Sequence, residues 1–168
     1  VLISDGVIGL RQITVADAQT HSAGEDAESA RWRDSGTGSI QTVTTHFQRC
    51  VAEWEADGPS KTFAVVTTED GVLVGTLDIQ IAQDYLAVGQ ANVAYGIYPQ
   101  FRRRGLAARA VVLACRYIAA HDLADEAVLR IDPANKASVA VAHRVGFAYH
   151  HSTNDPDEGT LDWFIQAV

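Results

Sequence analysis

Methionine is absent from the 168 residues, and cysteine occurs only at Cys50 and Cys115. The two cysteines lie far apart and form no CxxC pair, which excludes a disulfide framework and a thiolate zinc knuckle; both read as reduced thiols. Cys115 falls inside an apolar helix-like run, where a small buried side chain is the expected role. Long hydrophobic runs are also missing. The longest, residues 110–120, is interrupted by Arg116 and is too short to span a bilayer, so no membrane partner is expected. No basic-then-apolar leader opens the chain, which predicts a cytoplasmic address, and a start without methionine is either processed or trimmed. Positive charge is scarce: 13 Lys and Arg face 21 Asp and Glu, giving a net charge of −8 and a pI near 5.1. That balance argues against a nucleic-acid partner, whose phosphates need many cationic contacts, and favours a cationic substrate or basic peptide.

What remains is an ordinary globular composition, 47% apolar and 20% charged. The length suits one core, and no linker, repeat or low-complexity tract divides it, so residues 1–168 are expected to form a single domain. Alternating apolar residues predict strands at 7–13, 62–68, 72–81, 90–98, 126–131, 147–151 and 161–168. Helical spacing appears after Thr14 and Asp17, again at 42–57, and most clearly at 105–121, where Ala107, Ala110, Val111, Ala114, Tyr117 and Ile118 make one apolar stripe. A further amphipathic helix spans 135–145 and stops at Gly146. Residues 24–40 are polar, with Gly36-Thr37-Gly38-Ser39 as a breaker, and Trp32 and Trp54 in this N-terminal region read as core packing. Glu69-Asp70-Gly71 is a hairpin turn, and residues 154–159 form an exposed one. The element order gives an α/β (α+β) chain in which antiparallel hairpins join crossovers with parallel pairing.

The stretch that carries chemistry is Arg102-Arg103-Arg104-Gly105-Leu106-Ala107, lying between a strand and the alanine-rich helix. A helix N-terminus leaves backbone N–H groups unpaired and carries partial positive charge. Three arginines there oppose the helix dipole unless an anion sits beside them, so the turn reads as a diphosphate receptacle. Gly105 and Ala107 keep side-chain bulk away from such a ligand. No GxxxxGK[ST] loop is present, which argues against a nucleotide-hydrolysing site. His143, His150 and His151 show no ligand spacing with a cysteine or carboxylate, and no metal is assigned.

The run from Val93-Ala94-Tyr95-Gly96-Ile97-Tyr98-Pro99 through Arg102-Arg103-Arg104-Gly105-Leu106-Ala107 resembles the acetyl-CoA-binding strand, loop and helix of the GNAT superfamily, whose motif is [RQ]-x-x-G-x-[GA]. Asn135-Lys136-Ala137-Ser138 and His143-Arg144-Val145-Gly146-Phe147 resemble that family's N-x-x-S helix and closing Gly-Phe. Looser matches at residues 10–18, at Val74-Gly75-Thr76 and at Asp162 are similar to the ribosomal-protein N-terminal (Rim-type) acetyltransferase branch.

The resemblance implies a mixed, mostly antiparallel sheet of six to seven strands, splayed between the fourth and fifth and flanked by about four helices. It implies acetyl-CoA as acyl donor, no metal, and direct attack by a primary amine in a ternary complex. In that family the pantetheine arm lies along the free edge of the fourth strand, here Tyr95, Ile97 and Tyr98, with an oxyanion-holding N–H at Ile97 or Tyr98. Many members place a tyrosine where this chain has Ala142, so Ser138 is expected to protonate the leaving thiolate instead; an ordinary helix serine is the other reading. Asn135 is a cofactor ligand, the helix N-cap, or both. Relatives often carry glutamate where this chain has Asn92, leaving Asp78 as the replacement base, against a solvent-facing aspartate or deprotonation by water. The rival function is a catalytically degenerate domain that binds acyl-CoA or a protein without turnover. The acceptor is open between a small-molecule amine and a protein N-terminus, and the oligomeric state is open too, a homodimer included.

Overall fold

The computed structural model describes residues 1–24 and 39–168; Trp32 and residues 36–38 of the expected breaker lie outside them. Eight strands and four α-helices occur among the described residues: β1 (Ile3–Ser4), β2 (Ile8–Gln12), α1 (Asp17–Gly24), α2 (Ile40–Glu55), β3 (Ser60–Thr67), β4 (Leu73–Gln80), β5 (Gln90–Ile97), α3 (Leu106–Ala120), β6 (Glu126–Ile131), α4 (Lys136–Arg144), β7 (Ala148–Asp155) and β8 (Gly159–Ala167). The strands form one sheet in the order β1-β2-β3-β4-β5-β6-β8-β7, antiparallel throughout except for the β5–β6 pair. The expected count of six to seven strands is corrected to eight. The extra strand is β1, whose two residues pair with Leu10 and Gly9 and are too few to show a period of two.

Side-chain alternation divides the interior into two layers. Phe63 and Val65 of β3 point into the main core under α3 and α4, while Ala64 and Val66 point into a second core under α1 and α2. Helix α3 buries Leu106, Ala110, Val111, Leu113, Ala114, Tyr117 and Ile118. Its alanines bring the backbone close to the sheet, and its larger aliphatic side chains each contribute about 1.5–3 kcal/mol on burial. Trp54 of α2 packs edge-on against Phe63 at 5.0 Å and donates its indole N–H to Thr62 O at 2.7 Å, which satisfies the packing role expected of it.

The first helix shows why the Thr14 and Asp17 signal works. Asp17 accepts from the Thr14 N–H at 2.8 Å, the reciprocal half of a capping arrangement, and receives both Arg11 nitrogens at 2.7 and 2.8 Å. Burial alone pushes the Asp17 carboxyl up, but the Arg11 guanidinium and the Thr14 donors outweigh it and hold the group below its ordinary value. Its contribution is therefore complete above the unfolded carboxylate value of about 3.9 and is lost as pH falls through the lower, folded value. Asp17→Asn should cost about 2 kcal/mol at pH 7 and leave a shallower loss of stability below about pH 4 in denaturant titrations; an unchanged acid limb would refute the assignment.

Candidate active site

Strands β5 and β6 pair only over residues 90–92 and 126–128, yet β5 continues to Ile97 and β6 to Ile131. Beyond the last pair the two strands diverge into a V, as expected for the fourth and fifth main strands. Tyr98 N–H bonds Val74 O at 2.9 Å. In an antiparallel ladder bonded residues alternate, so Ala94 and Gly96 face β4, and the N–H groups of Tyr95 and Ile97 face the open V. The expectation that Tyr98 supplies an oxyanion donor is therefore corrected: its N–H is taken by the ladder, and its ring is buried with the hydroxyl 2.8 Å from His21 Nδ1. Ile97 N–H remains.

A single 3₁₀ turn, Pro99–Phe101, carries the chain from β5 to the arginine turn. Arg102 Nε donates to Ile97 O at 3.0 Å, tying the turn to the end of β5. Arg103 (φ +64°) and Gly105 (φ +73°) both adopt the left-handed conformation, and Gly105 caps α3 without a side-chain hydrogen bond. The first bond of the helix runs from Arg109 N to Gly105 O, so the N–H groups of Leu106, Ala107 and Ala108 precede any intrahelical partner. A Cβ on Gly105 would meet open space among the described residues, the one atom of these within 4 Å being Arg144 Nη2 at 4.0 Å. The opening combines helix N–H donors, one overlooking cation, Arg144, and no bulk among the described residues. Arg103 and Arg104 are exposed, Arg104 lying over the Phe101 ring and reaching Gln100 O, whereas the Leu106 side chain is in the core and offers only backbone. Arg144 was not singled out from the sequence; its place in the last turn of α4 marks it only as a dipole-complementing cation.

Asn135 is the N-cap of α4, its Oδ1 accepting from Ser138 N–H at 3.3 Å. Ser138 is in the first turn of that helix, half-buried, and its Oγ accepts a hydrogen bond from the Tyr95 hydroxyl at 3.2 Å. Ala142 is fully buried in the main core.

Asp78 lies on the other face of the sheet from Ser138, since its neighbours Leu77 and Ile79 point into the α3 core. Thr62 Oγ1 donates to Asp78 Oδ1 at 2.6 Å. Asn92 shares that face, Gln80 opposite it and Asp78 on the diagonal, a spacing of about 7–8 Å between Cα atoms. The Asn92 amide donates to Gln80 at 3.2 Å, while its Oδ1 is buried without a partner among the described residues. The two catalytic candidates thus flank the sheet from opposite sides, Ser138 on the face covered by α3 and α4 and Asp78 on the other.

A separate cleft of about 250 Å³ opens between the far half of α3 and the chain end, lined by Val111, Cys115, Phe147 and Val168 among others, and shares no residue with the arginine turn. Burial pushes the Cys115 thiol up to about 11, so it is a neutral packing group at physiological pH, as its apolar run suggests.

The fold is similar to that of solved acetyltransferases. Ribosomal-protein-S5-alanine acetyltransferase from Vibrio fischeri aligns with a TM-score of 0.80 at 15% identity over 98% of this chain and 95% of that one. Mycobacterium smegmatis RimJ in complex with CoA-disulfide gives 0.80 at 21% over 96% and 82%. Spermidine N-acetyltransferase from Vibrio cholerae, in complex with CoA and spermine, gives 0.78 at 12% over 97% and 96%. No curated protein matches the chain in sequence. No helix among the described residues is long and apolar enough to cross a membrane. The family model for the acetyltransferase (GNAT) domain matches residues 8–148, a span that holds the splayed strands, the arginine turn and Ser138, and the chain therefore belongs to the GNAT acetyltransferase family.

Proposed function

We propose that this enzyme transfers an acetyl group from acetyl-CoA to a primary amine by direct attack in a ternary complex. The observation that carries the reading is the opening beside Gly105, where the N–H groups that start α3 meet Arg144, with no other side-chain atom of the described residues within 4 Å of a Cβ placed there. Acetyl-CoA supplies the acyl group as a thioester. The N–H groups of Leu106, Ala107 and Ala108 and the neighbouring arginines hold its diphosphate, with Arg102 fixing the turn to β5. The N–H groups of Tyr95 and Ile97 take the pantetheine arm as an added strand, and the Ile97 N–H also serves the developing oxyanion. Asn135 orients the first turn of α4 and presents its amide to the arm. Ser138 gives a proton to the leaving sulfur. Asp78, held by Thr62, receives the proton shed by the amine on the opposite face.

The acceptor is a primary amine, either a small molecule or a protein N-terminus; the neighbours named for a ribosomal-protein alanine and for spermidine supply both kinds for a trial. Thiol release from acetyl-CoA across peptide N-termini, polyamines and amino acids should identify at least one acceptor. With it, Ser138→Ala should lower kcat about 100-fold and leave the calorimetric affinity for CoA within twofold of the parent. Tight CoA binding with no thiol release for any amine would instead identify a passive acyl-CoA module.

A further inference from the structure

The hydroxyl bond between Tyr95 and Ser138 has no counterpart in the sequence reading, where Tyr95 contributed backbone alone. It joins β5 on one arm of the V to the first turn of α4, which follows the other arm. The position from which many relatives present a tyrosine holds Ala142, fully buried in the main core, so no phenol reaches the cleft from there. A phenol comes from β5 instead.

We propose that Tyr95 and Ser138 form a two-hydroxyl chain that protonates the departing CoA sulfur, with Tyr95 the positioning residue and Ser138 the group in contact; this rests on the acetyl-transfer reading above. Four features favour it. Tyr95 donates and Ser138 Oγ accepts at 3.2 Å, so the serine's own hydrogen is left to donate elsewhere. The Asn135 cap engages the Ser138 backbone N–H at 3.3 Å and leaves the hydroxyl free to turn. Ser138 also stands at the positive end of a nine-residue helix, where a thiolate is stabilised. Burial pushes the Tyr95 phenol up, which keeps it protonated and able to donate near neutral pH.

In the transfer, a carbon–nitrogen bond forms and the carbon–sulfur bond breaks with its electron pair going to sulfur. The nitrogen sheds one proton to the base. Ser138 Oγ gives its proton to sulfur, Tyr95 gives its own to Ser138 Oγ, and the phenolate regains one from water. One thioester and one amine become one amide and one thiol, with no change in oxidation state.

The test needs neither acyl group nor acceptor. The thiol of CoA bound to the intact chain is titrated by thiolate ultraviolet absorbance, with binding followed by calorimetry. In the parent complex the thiol should ionise about one pH unit below that of free CoA, and in the Tyr95→Phe complex it should return most of the way at unchanged affinity. Ser138→Ala should give the same return, and the double variant no more, because the two hydroxyls act in series. With an accepted amine, Tyr95→Phe should lower kcat about 10-fold and leave the KM for acetyl-CoA unchanged. Equal thiol ionisation in the parent and both single variants, with CoA bound, would overturn the hydroxyl chain and leave the acetyl-transfer reading standing. Failure of the parent to bind CoA would overturn both.

Discussion

Gly105→Glu should weaken CoA binding by at least about 100-fold in calorimetry, the largest loss expected from any single change that leaves the sheet intact. The residue takes φ +73° at the N-cap of α3, and among the described residues the space its side chain would enter is bounded within 4 Å only by Arg144 Nη2. A carboxylate placed there pairs with Arg144, covers the unpaired N–H groups and repels the diphosphate. Two unit charges about 4 Å apart interact by about 1 kcal/mol in water and about 4 kcal/mol near a protein surface, and a 100-fold loss is about 2.7 kcal/mol, inside that range. Shape and backbone strain are separable from charge. Gly105→Gln fills the same volume without the charge and should lose less affinity, while Gly105→Asn tolerates the left-handed backbone better than other residues and should lose least. Full CoA affinity in Gly105→Glu would remove the arginine turn from the site altogether.

The second large effect falls on stability. Gly75→Ala should destabilise the chain by about 3 kcal/mol, a fall in Tm of about 9 °C for a domain of this size. A Cβ at Gly75 would stand 2.1 Å from Gly96 O and 3.1 Å from Ile97 Cα, both backbone atoms of β5 that cannot rotate away. The ladder from Gly75↔Ile97 to Gln80↔Asn92 must then separate locally, and the same movement displaces the Ile97 N–H from the V. CoA affinity should therefore fall together with Tm. A thermal melt within 2 °C of the parent would show that β4 and β5 accommodate the methyl and that their close approach is not enforced by packing.

These predictions differ in how much of their basis was visible in the linear chain. Gly105 was legible because a glycine after three arginines, before an alanine stripe, is a local pattern with a local cause: left-handed backbone and unpaired helix donors need no distant partner. The same holds for Asn135 as the cap of α4, Gly146 at its end, and Thr14 with Asp17 at the start of α1. Gly75 was visible only as part of a resemblance. Its reason is an oxygen 21 positions away, brought into contact by the antiparallel register. Two expectations were changed by strand pairing of this kind. The Tyr98 N–H is spent on Val74, and a two-residue edge strand, β1, joined the sheet on the strength of its pairing with Leu10 and Gly9. Asp78 as the base follows in the sequence from the amide at Asn92; the structure supplies its bond to Thr62 and its diagonal relation to Asn92.

The sequence by itself determined the family, the order of the elements, the apolar stripes and the turn that opens α3, because propensities, caps and periodicities act over a few residues of contiguous backbone. Tertiary structure alone decided which hydroxyl meets Ser138, which cation overlooks Gly105, which N–H groups of β5 stay free, and that β8 lies inside β7 in the sheet. Each of those depends on groups brought together by burial from separate parts of the chain, and burial is a property of the packed whole that leaves no period, spacing or composition behind in any one segment.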